Sequence, residues 1–240
     1  KGERAFQATS QTINEFGKNM LGSFKKNSLL SLAISFYADV EIVDIVKKEN
    51  FYPLKTWFCS SCYLVQGRGF SNTNLLFNSK YTYFSSVSKS FSKHFKDYAN
   101  DLVAKLGNNK VFAALDIGSS DGTLLSFFKK MKHRVLGVEP SYRAAAEAKD
   151  KGIKSFTQFF NVSLVKRMVD KHGYADLITI NNLFANIDDL YKFTKSLNLL
   201  LGREGVIVIE SSYLKDMINN MVFDFIYHEH LSYITVKPLI

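Results

Sequence analysis

The sequence predicts an α/β protein, with a doubly wound parallel sheet preceded by a small irregular domain. Two observations indicate this fold class. From about residue 110, short apolar segments alternate with longer segments of helical periodicity, and the alternation continues to about residue 212. Strands separated by helices of about ten to fifteen residues are joined by crossovers, which give a parallel sheet with helices on both faces. The preceding residues lack this alternation and contain aromatic, β-prone stretches, so we expect a separate, smaller domain there.

Five strands and four helices account for the alternating region. Pro140 ends the second strand, Gly152 ends the second helix, and Asn161 is a suitable N-cap for the third. The strands are expected within NNKVFAALDIG, HRVLGVEP, IKSFTQ, YADLITINN and GVIVIE, and the helices within GTLLSFFKKMK, SYRAAAEAKDKG, NVSLVKRMVDKHG and DDLYKFTKSLNLLL. The predicted domains are a small N-terminal domain at 1–80, a linker helix at 81–105 and the α/β domain at 106–240.

The composition excludes several classes of protein. A chain of 240 residues, 46% of them hydrophobic, can bury a sizeable core, which argues against a disordered or fibrous protein. The formal net charge of +9 would suit nucleic acid, a membrane surface or an anionic small molecule, but the lysines are dispersed, so no nucleic-acid partner is expected. The apolar run LLSLAISFYA is too short to cross a bilayer, so no membrane partner is expected either. Two cysteines are too few for a disulfide framework, which favours a cytoplasmic location.

A glycine-rich loop, LDIGSSDGTLL, follows the first strand of this region and opens its first helix, at the edge where open parallel sheets bind ligands. Gly118 and Gly122 allow a tight turn and a close approach to a ligand, and Ser119 lies between them. A pyrophosphate-binding loop reads G-x-G-x-x-G, whereas this loop reads D-x-G-x-x-D-G, with Asp116 and Asp121. Two carboxylates suit a cationic ligand without phosphate. S-adenosylmethionine, a sulfonium that carries an ammonium group, meets this requirement.

Two further strand ends carry polar residues toward the same edge. Glu139, followed by Pro140, ends the second strand, where a carboxylate can accept hydrogen bonds from both hydroxyls of a ribose. Asn181 and Asn182 end the fourth strand. Because the carboxyl ends of parallel strands share one edge of the sheet, these residues and the glycine-rich loop are expected to form one S-adenosylmethionine site.

The segment FDFIYHEHLSY places two histidines and a glutamate beside Tyr227. His228 and His230 are two residues apart and cannot share a helix face, so they would chelate a metal only from a strand or a loop. In an extended segment, Tyr227 would share one face with Glu229, and His228 would share the other with His230. The spacing does not choose which face meets a substrate. A neutral imidazole, with an ordinary pKa of about 6.5, is suited to removing a proton near neutral pH.

Seven blocks of the sequence, in order, resemble those of a known family. They span about residues 51 to 236 and read YPLKTWFCSSCYLVQ, YTYFSSVSKSFSKHFKDYA, LDIGSSDGTLL, VLGVEPS, NNLFANIDDL, GVIVIE and FDFIYHEHLSY. With these blocks the sequence resembles the class I S-adenosylmethionine-dependent methyltransferases, whose methyltransferase sheet is Rossmann-like. More narrowly, it resembles the C-methyltransferases that act on nucleotide-linked deoxysugars.

The resemblance implies an enzyme that methylates carbon 3 of a 4-keto sugar joined to a nucleoside diphosphate. Methylation beside a ketone needs a base for the α-proton and a hydrogen-bond donor to the enolate oxygen. By resemblance, His230 is the base, and Tyr227 and Glu229 lie near the sugar and its keto group. Tyr83 would reach in from the N-terminal side, with Tyr81 as the competing choice for that role. A nucleotide-sugar substrate also gives the basic surface a use, since it carries a diphosphate.

The sequence departs from this family at three places. The relatives hold zinc with four cysteines in an N-terminal domain, but this chain contains only Cys59 and Cys62. The domain at 1–80 is therefore expected to be of a degenerate zinc-binding type, without an intact zinc site. Asn186 stands where the relatives often have histidine. The family also has a C-terminal domain of similar fold, and the methyltransferase domain at 106–240 is expected to be truncated before it.

Two other functions are alternatives to sugar methylation. One is methyl transfer to another acceptor such as RNA, which would bring steeply salt-dependent RNA binding. The other is a non-catalytic fragment that binds S-adenosylmethionine. Turnover of a 4-keto sugar nucleotide by this chain distinguishes an enzyme from a binding fragment.

Overall fold

The computed structural model describes residues 54–68, 84–107 and 110–239. They fall into two compact units. The described residues of the first unit are 54–68, 185–188 and 211–239, and those of the second are 84–107, 110–184 and 189–210. The two units group residues that are in contact, and the first unit combines segments that are distant in sequence. The domains predicted at 1–80, 81–105 and 106–240 are continuous segments, and their boundaries stay a prediction.

Eight strands and six α-helices are formed by the described residues. The strands are β1 Lys55–Phe58, β2 Val65–Arg68, β3 Ala113–Ile117, β4 Arg134–Val138, β5 Ser155–Phe156, β6 Ala175–Asn181, β7 Leu201–Glu210 and β8 Ser232–Tyr233. The helices are α1 Lys89–Leu106, α2 Thr123–Lys130, α3 Tyr142–Asp150, α4 Val162–His172, α5 Leu190–Leu200 and α6 Leu214–Asn219. None of these helices is long and apolar enough to cross a membrane.

The second unit contains a five-stranded parallel sheet in the order β5-β4-β3-β6-β7. The prediction of a doubly wound parallel sheet is thereby confirmed. From β3 the chain first builds toward one side of the sheet, through β4 to β5, and then toward the other, through β6 to β7. The carboxyl ends of β3 and β6 therefore flank the point where the winding direction changes, which is where such sheets bind ligands.

Helix α1 belongs to the hydrophobic core of the sheet unit. Ser88 caps its first turn by accepting a hydrogen bond from the Phe91 N–H at 3.2 Å, and Gly107 with φ 106° ends it. Its apolar residues recur at helical spacing and pack with the first two crossover helices and the sheet. The buried members of this cluster from α1 are Phe95, Ala99, Leu102 and Val103. The segment predicted as a linker helix thus covers one face of the sheet.

The first unit contains an antiparallel sheet of three strands in the order β1-β2-β8. Strands β1 and β2 form a hairpin, in which Phe58 is opposite Val65. Strand β8 comes from the far end of the described chain and pairs with β2, with Val65 opposite Tyr233 and Gln66 opposite Ser232. The described part of the region predicted to be irregular is therefore a regular hairpin, completed by residues distant in sequence.

Candidate functional site

The glycine-rich loop turns tightly between β3 and α2. Gly118 has φ 76° and Gly122 has φ 72°, and Ser120 also has a positive φ, of 47°. The N–H groups of Gly118 and Ser119 both donate to the Val138 carbonyl, at 2.8 and 3.1 Å. A side chain at Gly122 would also press on the following crossover helix, since a Cβ there would lie 3.0 Å from Ala148 Cβ. The loop therefore needs glycine at Gly122 for both backbone conformation and helix packing.

Glu139 joins the loops that follow β3 and β4. Its buried carboxylate accepts the Ser120 N–H at Oε2, 2.9 Å, and the Ser141 N–H at Oε1, 2.8 Å. Burial raises the pKa of Glu139, while these two backbone hydrogen bonds act in the opposite direction. Each carboxylate oxygen has a further lone pair beyond its backbone bond. Glu139 can thus fix both loops and still accept hydrogen bonds from a pair of ribose hydroxyls.

Asp116 lies buried at the end of β3. Its Oδ1 accepts the Thr179 hydroxyl at 2.7 Å and the Asn181 amide at 3.3 Å. Burial raises the pKa of Asp116 to about 7; the hydrogen bond from Thr179 lowers it, and the nearby charge of Glu139 raises it further. A cation bound beside Asp116 would favour the charged carboxylate. This environment suits a cationic ligand.

Asp121 has its hydrogen-bond partners within the protein. Its Oδ2 accepts Lys151 Nζ at 2.8 Å and the Ser86 N–H at 3.2 Å, and its Oδ1 accepts the Thr123 hydroxyl at 2.8 Å. Burial raises the pKa of Asp121, but the hydrogen bonds, first among them that of Lys151, outweigh it and hold the pKa below its ordinary value. From the sequence, the negative charge of Asp121 was expected to face a ligand. Its pairing with Lys151 could not be expected, because no local motif indicates it.

Some buried polar atoms of this edge lack a hydrogen-bond partner among the residues described. Ser119 Oγ and Asn181 Oδ1 are two of them. Asn182, next to Asn181, is exposed with φ 53°, and its N–H donates to the Glu210 carbonyl at 2.8 Å. Buried polar atoms without partners are rare and call for an explanation, which a polar ligand would supply. The residues present thus fit a ligand with hydroxyl and amino groups. Pro140 is half-buried directly after Glu139.

A second candidate group lies in the first unit, around His230. His230 is buried, its Nε2 lies 2.9 Å from the Tyr227 hydroxyl, and its Nδ1 lies 2.9 Å from the Phe225 carbonyl. Because a carbonyl only accepts, Nδ1 carries hydrogen, and in the neutral ring Nε2 accepts from Tyr227. Burial lowers the pKa of His230, although the Phe225 carbonyl acts to raise it. This imidazole is therefore a base whose lone pair lies on Nε2, where the Tyr227 hydroxyl donates to it.

The segment is a turn, so the alternation considered for an extended segment does not apply to it. The His230 N–H donates to the Tyr227 carbonyl at 3.1 Å, so residues 227–230 form a turn. The turn brings Tyr227 and His230 together, with ring centroids 4.2 Å apart and the rings tilted by 37°, so that the Tyr227 hydroxyl reaches the imidazole. Glu229 is half-buried within the turn, and burial raises its pKa to about 7.

Backbone contacts hold the His230 segment against the hairpin. The Gly67 N–H donates to the Leu231 carbonyl at 2.9 Å, and the Leu231 N–H donates to the Ala185 carbonyl at 2.7 Å. A Cβ at Gly67 would lie only 2.6 Å from the His230 carbonyl oxygen. Gly67 is thus a positioning residue for His230, and the sequence alone did not single it out, because its partner is remote.

Gly67→Ala is expected to lower the free energy of unfolding by about 1–3 kcal/mol, because the added methyl group must displace the His230 backbone. Denaturant unfolding measures this change. Gln66→Ala, at the exposed neighbour in the same strand, is the control and should cost less than about 0.5 kcal/mol. Equal losses for the two variants would contradict the close approach of Gly67 to His230.

Cys59 and Cys62 occupy the turn of the hairpin. The Cys62 N–H lies 3.5 Å from Cys59 Sγ, and the two cysteines are not joined by a disulfide. Within 54–68, 84–107 and 110–239, no group of three or more His, Cys, Asp or Glu residues is arranged to hold a metal ion. The assignment of Cys59 and Cys62 as half of a four-cysteine zinc site therefore stays a prediction. Tyr81 and Tyr83, the other residues predicted to act on substrate, lie outside the described residues.

The fold and the site at its ligand-binding edge together define a class of protein. The parallel sheet order, the glycine-rich loop without a diphosphate pattern, the acid after the next strand and the buried Asp116 are those of an S-adenosylmethionine-dependent methyltransferase domain. The model of the family described as methyltransferase domain matches residues 91–239, and the chain belongs to this family. Its methyl donor is S-adenosylmethionine.

One relative and two solved structures illustrate what the chain is similar to. C-methyltransferase NovU of Streptomyces niveus is 29% identical over 191 residues, which are 80% of this chain and 45% of the relative, so the chain spans less than half of that protein's length. An S-adenosylmethionine-dependent methyltransferase structure from Archaeoglobus fulgidus is 19% identical, covering 62% of this chain and 65% of its own, with a TM-score of 0.49. Streptomyces venezuelae DesVI is 16% identical, covering 52% and 53%, with a TM-score of 0.42.

Proposed function

We propose that the chain acts as a C-methyltransferase on carbon 3 of a 4-keto-deoxysugar joined to a nucleoside diphosphate. The observation that carries the proposal is the buried His230, whose Nδ1–H is bound to a carbonyl while Nε2 is left as the basic atom. The similarity to the Streptomyces niveus relative, a C-methyltransferase, supports methylation at carbon. The resemblance of the FDFIYHEHLSY block supports the sugar substrate.

His230 Nε2 takes the proton from carbon 3 of the sugar. The electron pair of the broken C–H bond forms the enolate with the neighbouring keto group, and the Phe225 carbonyl stabilises the imidazolium through Nδ1–H. The Tyr227 hydroxyl, which donates to Nε2 without substrate, turns to the keto oxygen and donates to the developing negative charge. When bound, S-adenosylmethionine supplies an electrophilic methyl group for the carbon that has lost its proton.

Other residues of the proposal bind rather than transfer protons. Glu229, whose pKa burial raises to about 7, exists partly as the neutral acid at neutral pH and can donate to a sugar oxygen. Tyr83 is proposed for the same sugar on the resemblance alone. The residues proposed to bind the cofactor are Asp116, Gly118, Ser119, Asp121, Gly122, Glu139, Pro140, Asn181 and Asn182. Within this set, we assign Asp121 to holding the loop, since Lys151 already pairs with it.

Methyl transfer from labelled S-adenosylmethionine tests the proposal. The chain is incubated with a nucleoside-diphosphate 4-keto-deoxysugar and with RNA in the same reaction, and the products are separated. We expect label in the sugar, on carbon 3 by NMR. Label in RNA, or on an oxygen of the sugar, would sink the assignment. Cofactor binding by calorimetry with no transfer to either acceptor would favour a binding role instead.

A further inference from the structure

One face of the parallel sheet carries a set of polar groups at its carboxyl edge. Asp116 is opposite Thr179, and Asn181 is opposite Glu210. Side chains two residues apart along a strand share a face, so Asn181 and Thr179 point to the same side as Asp116, in agreement with their hydrogen bonds to its carboxylate. Glu210, the in-register neighbour of Asn181, belongs to this side as well.

Helix α1 covers the same face and is tied to it by His94. His94 Nε2 lies 2.6 Å from Glu210 Oε2, and the His94 ring stacks on Tyr98 with centroids 5.9 Å apart and an interplanar angle of 21°. Tyr98 also packs against the hydrophobic core cluster of α1 and the sheet. These contacts fix the Tyr98 ring beside the polar edge.

The Tyr98 hydroxyl is out of solvent and has no hydrogen-bond partner in the part of the chain described. Burial raises the pKa of Tyr98, and the negative charges of Glu210 and Asp116 raise it further, which places the hydroxyl in an anionic environment. Asn181 Oδ1, on the same face, is likewise without a partner among the described residues. A buried hydroxyl without a partner lowers the stability of the fold, and a ligand group that bonds to the hydroxyl would explain why it is there.

We propose that the Tyr98 hydroxyl binds the α-ammonium group of S-adenosylmethionine, together with Asn181 Oδ1 and the Asp116 carboxylate. An ammonium group has three donors, and these three acceptors lie on one face of the sheet, in an environment that favours a cation. His94 and Glu210 act through Tyr98 as positioning residues. The inference rests on the cofactor site and deepens it, because it assigns the amino-acid end of the ligand to helix α1.

Tyr98→Phe tests the inference because it removes only the hydroxyl. Calorimetry, with displacement titration for the weaker ligand, compares S-adenosylhomocysteine with 5′-methylthioadenosine, which lacks the amino-acid end. We expect the variant to bind S-adenosylhomocysteine about tenfold or more weakly, as for loss of a hydrogen bond to a charged group, and to bind 5′-methylthioadenosine within about twofold of the wild type. Its melting temperature without ligand should not fall.

Tyr191→Phe, at an exposed tyrosine of α5, is the matched control and should change neither affinity. Unchanged S-adenosylhomocysteine binding by Tyr98→Phe, or an equal loss for both ligands, would overturn the role of Tyr98 and leave the cofactor site standing. If the wild-type chain binds neither ligand, the cofactor site and the inference both fail.

Discussion

His230→Gln is expected to slow exchange of the carbon 3 proton by a factor of about 10²–10⁴, the usual contribution of a general base. The glutamine amide keeps hydrogen-bonding capacity but cannot take up a proton near neutral pH, whereas His230 Nε2 presents a lone pair fixed by the Nδ1–H bond to Phe225. The measurement is NMR of deuterium uptake by a nucleoside-diphosphate 4-keto-deoxysugar in heavy water. This step precedes methyl transfer, so it isolates the base.

His228→Gln is the control for the same segment and should exchange the proton within about threefold of the wild-type rate. Equal losses for His228→Gln and His230→Gln would mean that the turn, rather than the imidazole at 230, matters. Full exchange by His230→Gln would remove His230 from the mechanism.

The pH dependence of exchange has a defined sign. Burial lowers the pKa of His230, so its basic form persists to lower pH than that of an ordinary histidine, and the rate should fall only below about pH 6.5. Glu229, with its pKa raised to about 7 by burial, titrates as a separate step. Glu229→Gln should remove that step and leave the acid limb of His230. An acid limb well above pH 6.5 in Glu229→Gln would contradict a neutral, buried base.

Glu139→Gln is expected to weaken binding of both S-adenosylhomocysteine and 5′-methylthioadenosine by about a hundredfold, because both carry the ribose. The glutamine NH₂ must face either the Ser120 or the Ser141 N–H, so one loop loses its acceptor and meets a second donor. Calorimetry with each ligand measures the loss. The free energy of unfolding should also fall by about 1–3 kcal/mol, since a buried donor is left unpaired.

Glu147→Gln, at an exposed glutamate on α3, is the matched control and should leave both affinities unchanged. The two ligands separate the roles of the pocket: Glu139→Gln should affect both equally, whereas Tyr98→Phe should affect only the one with an amino-acid end. Wild-type affinity for 5′-methylthioadenosine in Glu139→Gln would show that Glu139 does not bind ribose.

The parallel sheet and its ligand edge could be predicted because their signals are local. Apolar segments between helical ones predicted five strands, and all five form in the predicted places. Asp116, Glu139 and Asn181 end three different strands, and the shared edge of parallel strands was enough to expect them together. Gly118 has the positive φ that a tight turn requires.

Features that depend on contacts between remote residues could not be predicted. Lys151 neutralises Asp121 from the far end of α3, and Tyr98 occupies an apolar helix position that hides its hydroxyl. The turn at Tyr227–His230 could not be chosen over an extended segment from the sequence, because the spacing of the polar residues is compatible with both. Gly67 positions His230 only through contacts with His230 and Leu231, which lie almost at the other end of the described chain.

The pairing of β2 with β8 has a consequence for the order of folding. During synthesis, the hairpin emerges long before Ser232–Tyr233, and until then one edge of β2 presents unpaired backbone groups. The hydrogen bond from the Gly67 N–H to the Leu231 carbonyl, beside His230, joins residues far apart in sequence, and such long-range closures are slow. His230 would therefore reach its position only when nearly all of the described chain has been made. The residues of the cofactor site come earlier in the chain, so a nascent chain could form that site before its base is in place.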